Sequence, residues 1–126
     1  MTPTETLTAV PLDTSLQLTE AQARGALAVT GWPMDLHDQA VSVFCGIGNL
    51  RWPSGESNCS PHAVGDGGNS LGFAMLNWAT WAPYCGVTAE ALLADLHVNL
   101  ACAYQVYLYD INRGYQPWNQ WQVKPW

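Results

Sequence analysis

Charge is what this sequence has least of. Only 11% of its 126 residues are charged, and the basic ones number four. Arg24, Arg51, Arg113 and Lys124 are scattered along the chain. Without a basic stripe there is nothing to neutralise a run of phosphates, so nucleic acid is not an expected partner. No apolar run is long enough to cross a bilayer, and no membrane association is expected. The stretch 1–13 has neither a basic region nor an apolar one and does not read as a secretory leader. Cys-x-x-Cys is missing, and His37, His62 and His97 do not flank cysteines at ligand spacing, which excludes the usual zinc arrangements. There is no internal repeat and no low-complexity segment.

What is present fits one domain, residues 18–126, preceded by an extended Thr- and Pro-rich arm over 1–17. The net charge is -6, compatible with a neutral or mixed-charge ligand. Four cysteines accompany seven tryptophans in this short chain. Two disulfides are the natural reading, and of the three pairings the one joining Cys45 to Cys59 and Cys85 to Cys102 closes compact loops. This points to work outside a reducing cytosol, secreted or phage-associated.

Helical signals come early and late. Thr19 is a good N-cap for a run of helix formers that ends before Gly31-Trp32-Pro33. Asp35 to Cys45 sets Leu36, Ala40, Val43 and Phe44 on one face and stops at Gly46, as a buried central helix would. Thr88 opens a short helix, and Val98 to Tyr109 continues with apolar residues at helical spacing. Between Gly46 and Asn77, Gly, Ser, Asn and Pro dominate with no sustained period, which predicts loop with a short hairpin. The tail 114–121 alternates aromatic and polar residues, as a packing or binding loop does.

The chemistry concentrates in Glu56 to Gly72. One carboxylate precedes a glycine-dense loop, and glycosidic cleavage needs an acid near the leaving oxygen with backbone close to the sugar. As an acid Glu56 must be partly buried with a raised pKa; otherwise it is a loop glutamate between Gly55 and Ser57. Asp66 is the nearest second carboxylate, although an Asp before Gly-Gly also serves simply to form a turn. Gly68-Asn69-Ser70-Leu71-Gly72 matches the nucleophile elbow in letters only, since no βα alternation surrounds it.

The ordered set Glu56-Ser57, Pro61-His62-Ala63-Val64-Gly65-Asp66 and Ser70-Leu71-Gly72-Phe73-Ala74-Met75-Leu76-Asn77 resembles the lysozyme-like superfamily of lytic transglycosylases and phage tail lysozymes, relatives of goose-type lysozyme. Asn99-Leu100-Ala101-Cys102 and Pro117-Trp118-Asn119-Gln120-Trp121 extend the likeness, which spans Leu18 to Trp121. The resemblance implies an α+β, mainly α fold with a small β or loop lobe. It implies cleavage of the β-1,4 bond between N-acetylmuramic acid and N-acetylglucosamine in peptidoglycan without metal or organic cofactor, and a monomer is expected.

Two positions depart from the pattern. Counted back from Gly65-Asp66 the family's acid falls on Glu56; counted forward along the central helix it falls on Ile47, about nine residues earlier. An insertion in the loop after the acid disturbs the helix least, which places Ile47 at the acid's position, where it donates no proton. Met75 stands where the family carries a sugar-binding Gln, and offers only a weak acceptor. Ser70, Met75, Asn77 and Tyr104 are the candidate substrate contacts. The alternative reading is a silent or engineered scaffold in which Ile47 and Met75 form an apolar pocket for another small ligand.

Overall fold

The computed structural model describes residues 12–126, so most of the expected arm, residues 1–11, lies outside the described residues. The described part of the arm runs along the Asn58–Ser60 loop. Ser60 Oγ donates to the Thr14 carbonyl, Gln17 Nε2 to that of Asn58, and the Leu18 amide to that of Cys59.

Helix α1 (Glu20–Val29) starts with reciprocal capping: Thr19 Oγ1 accepts from the Gln22 amide while the Gln22 side chain accepts from the Thr19 amide. A 3-10 turn (Met34–Leu36) leads into α2 (His37–Cys45), so the first turn of the expected 35–45 helix winds more tightly than the rest. Every residue of α2 except Asp38 and Gln39 is buried. It is the central helix. Arg24 reaches across from α1 to Asp38, Nη1 to Oδ1 2.9 Å.

The hairpin expected before Asn77 is a three-stranded antiparallel sheet, β1 (Val64–Gly65), β2 (Ser70–Leu71) and β3 (Leu76–Asn77), in that order. Val64 faces Leu71, and Ser70 faces Asn77. Helix α3 (Trp78–Cys85) follows at once, capped by Asn77, whose side chain accepts from the Thr80 amide. Its apolar, proline-containing sequence gave little periodic signal, and the composition-based reading assigned no helix there. Then come α4 (Ala89–Ala94) and α5 (Leu96–Asn112), the latter capped by Asp95. The fold is α+β and mainly α.

Aromatic side chains fill the centre. Trp118 is fully buried and stacks on Trp32 at 5.6 Å, while Phe44 meets Phe73, Trp118 and Trp121 edge-on at 5.6–5.9 Å. The three indole N–H groups of this cluster are provided for: Trp32 donates to the Leu100 carbonyl, Trp121 to that of Ala74, and Trp118 to Gln39 Oε1. Both disulfides join the expected partners, Cys45 with Cys59 and Cys85 with Cys102.

Asn99 ties the sheet to the helices. It is fully buried on α5, accepts from the Ala74 amide at 2.8 Å, and donates to the carbonyls of Leu71 and Leu92 at 3.0 and 2.9 Å. Three backbone groups lose their partner when this amide is removed. Asn99→Ala is expected to lower unfolding free energy by about 2–4 kcal/mol, read from the urea midpoint at constant slope. An unchanged midpoint would show that water replaces the amide without loss.

Candidate functional site

The site is built by the way the chain returns to the end of α2. Gly46 turns left-handed (φ 77°) and stops the helix. Residues 46–55 loop outward and come back, and the amides of Glu56 and Ser57 then donate to the carbonyls of Val43 and Phe44 at 2.8 and 3.1 Å. These are carbonyls that a helix end leaves without intrahelical partners. The close approach requires two glycines, because a Cβ on Gly55 would strike the backbone of Phe44 and Cys45, and one on Gly46 would strike that of Pro53. The Cys45–Cys59 disulfide closes the same loop. Glu56 thus sits near the helix end without belonging to the helix.

From there Glu56 lines a cleft of about 330 Å³ between the sheet, α3 and the C-terminal segment. Asp66, Ser70, Met75, Asn77 and Trp81 face it from one side and Gln120 to Gln122 from the other. The Glu56 carboxyl is half-buried, and Oε2 accepts from the Val123 amide at 2.6 Å. Burial raises its pKa above the ordinary 4.5; the amides of Val123 and Gln122 pull it down, the Asp66 charge pushes it up, and Lys124 draws it down weakly. Dehydration is the largest of these effects and the net shift is upward.

Asp66 is held in place rather than left to swing. Ser70 Oγ donates to Asp66 Oδ2 at 2.5 Å across the β1–β2 hairpin, and Asp66 itself has φ 53° at the head of the turn. Ser70 is therefore buried support for a carboxylate that projects to solvent. Met75, also left-handed (φ 50°), lies with its Cε against Gly65, leaving no space for a side chain there. Asn77 is exposed at the rim, with its carbonyl oxygen engaged by the α3 amide of Thr80. Among the described residues no cluster of three or more His, Cys, Asp or Glu side chains is suited to a metal ion.

Glu56, Ser70, Met75 and Asn77 therefore share one cleft, and two other candidates lie elsewhere. Ile47 lines a separate hollow with Arg24, Asp38 and Pro125. The left-handed Gly46 ends the helix ahead of Ile47 and diverts the chain, so Ile47 does not continue α2 toward the cleft. Ile47 and Met75 consequently form no common apolar pocket. Tyr104 packs its ring on Trp32 at 5.1 Å and does not line the cleft. Sequence reasoning missed Thr80, Gln120, Gln122 and the amide of Val123. The alternating tail hinted at the glutamines, whereas a backbone amide has no residue-type signature.

No protein family, curated protein or solved structure matches this chain.

The raised pKa has a consequence for stability. The folded state holds the Glu56 proton more tightly than the unfolded chain, so ionising it opposes folding. Its contribution is whole below pH 4.5 and declines as pH rises through the elevated folded value. Glu56→Gln is expected to flatten that decline, so that its urea midpoint gains on the wild type as pH rises from 4 to 8. A midpoint difference that does not change with pH would contradict the dehydrated carboxyl.

Proposed function

We propose that this protein cleaves the β-1,4 bond between N-acetylmuramic acid and N-acetylglucosamine in peptidoglycan, with Glu56 as general acid. The observation that carries the reading is the dehydrated Glu56 carboxyl inside a polar cleft, with a second carboxylate across from it. Such a carboxyl keeps its proton at higher pH than an exposed glutamate and has it available to give. The substrate class comes from the ordered motif Glu56-Ser57, Gly65-Asp66 and Ser70 to Asn77, which resembles the lysozyme-like superfamily.

In this reading Glu56 transfers its proton to the glycosidic oxygen as the C1–O bond breaks. Positive charge then develops on the sugar ring, and Asp66, fixed by Ser70, supplies a negative charge on the sheet side of the cleft. The Glu56 carboxylate left behind accepts two backbone amides and next takes the proton of the attacking hydroxyl, from water or from the sugar itself. One carboxyl thus serves as acid and then base. Trp81 and Asn77 offer an apolar wall and a polar rim for the adjoining sugar.

Two disulfides suit an oxidising compartment, and no described helix is long and apolar enough to cross a membrane. The protein acts on the wall from outside the reducing cytosol.

Clearing of a peptidoglycan suspension tests the assignment. Glu56→Gln is expected to reduce the rate at least about 100-fold with little change in fold, and Ile47→Glu to leave it near wild type. Wild-type activity should fall as pH rises through the Glu56 pKa. Full activity in Glu56→Gln would remove it from the acid's role, and activity gained in Ile47→Glu would restore the helix-end position.

A further inference from the structure

Beyond the cleft wall the aromatic surface continues. Trp81 lines the cleft, and its outer edges meet Tyr84 and Tyr109, each at 5.4 Å; Tyr84 and Tyr109 are themselves 5.5 Å apart. All three contacts are edge-to-face, so the rings hold one another in a fixed triangle. Tyr115 extends the set, its ring 6.5 Å from Tyr109. Unlike the core aromatics these rings reach solvent: Tyr84 is 50% exposed and Tyr115 47%. Packing alone does not account for half-bare rings grouped beside a cleft, and exposed aromatic patches of this kind mark interaction surfaces.

Charge narrows the choice of ligand. Arg113 lies over the Tyr109 ring at 4.5 Å, is exposed, and makes no salt bridge among the described residues. In a chain of net charge -6 this places a free guanidinium on an aromatic platform. Rings offer flat apolar faces to the C–H face of a sugar, and guanidinium pairs with a carboxylate. A glycan strand whose sugars carry carboxylates presents both, spaced along one polymer. Because the rings are already fixed, little side-chain freedom is lost on binding.

We propose that Tyr84, Tyr109, Arg113 and Tyr115 form a second binding surface for an anionic glycan strand, continuous with the cleft through Trp81. The surface holds the polymer beyond the sugars at the cleavage point. It rests on the glycan-cleaving reading for its ligand, yet binding is measured apart from cleavage.

The test uses the full chain carrying Glu56→Gln, sedimented with insoluble peptidoglycan and, separately, with chitin as an uncharged glycan. Tyr84→Ala combined with Tyr115→Ala is expected to weaken binding to both polymers roughly tenfold. Arg113→Gln should weaken binding to peptidoglycan several-fold and leave chitin binding unchanged. In the otherwise wild-type chain these substitutions should raise KM on peptidoglycan and spare the turnover of a soluble tetrasaccharide. Tyr84→Phe, which keeps the ring, is expected to bind normally, and unchanged turnover of the soluble tetrasaccharide by the alanine variants shows that their loss of binding is not a folding defect. Binding unaltered by all the substitutions, or no binding of the parent chain to either polymer, overturns the proposal. Tyrosine- and arginine-dependent binding by a wild-type chain that cleaves no glycan would sink the catalytic reading and uphold this surface. Cleavage with unaltered binding would do the reverse.

Discussion

The amides of Glu56 and Ser57 end on the carbonyls of Val43 and Phe44, and the rest of the site is arranged around that junction. A helix that stops in the interior leaves carbonyls that need donors. Here the donors come from a segment that has travelled through a ten-residue loop, residues 46–55, and the return is held by a disulfide and by two glycines in backbone contact. Satisfying the end of α2 and placing the Glu56 carboxyl are therefore one structural event. A change that loosened the junction would leave the carbonyls unpaired and move the carboxyl together.

The opposite wall depends on a second buried polar group. Asn99 holds the turn between β2 and β3 through Ala74 and Leu71, and so sets where Met75 and Asn77 face the cleft. The third wall is the C-terminal segment, where Lys124 Nζ donates to the carbonyls of Trp118 and Trp121 and Asn49 Nδ2 donates to the Lys124 carbonyl. That brace presents Val123 to Glu56. Buried amides and one ammonium thus fix loops that helix packing by itself would leave loose, while the Trp32–Phe44–Trp118–Trp121 cluster supplies the apolar mass beneath them.

Opposing influences act on the Glu56 carboxyl. Burial favours the protonated form, and two amides favour the carboxylate. Burial is the larger of the two, so the net shift is upward. Outside the cleft, Tyr84 and Tyr115 add half-exposed rings beside the edge-to-face triangle of Trp81, Tyr84 and Tyr109.

Several parts of this arrangement were legible in the residues. Thr19, Gly46 and Thr88 mark helix ends because capping is local, and the cysteine pairing follows from compact loop closure. The Glu56 to Asn77 run marked the cleft for the same reason, since its glycines and polar residues lie close in sequence. Which residue meets the cleft is a matter of geometry over distance: a register count along the helix favours Ile47, while the folded chain loops out and brings Glu56 back to the helix end. Helix α3 escapes detection because its residues are apolar on most sides, and Tyr104 packs on Trp32 because the tertiary fold brings α5 against that ring. By itself the sequence determined the helices whose ends it caps, the disulfide partners and the residues able to do chemistry. Only the tertiary structure decided which of them meet, because dehydration of Glu56, its amide partners and the bare faces of Tyr84 and Tyr115 arise from segments far apart in the chain packing together.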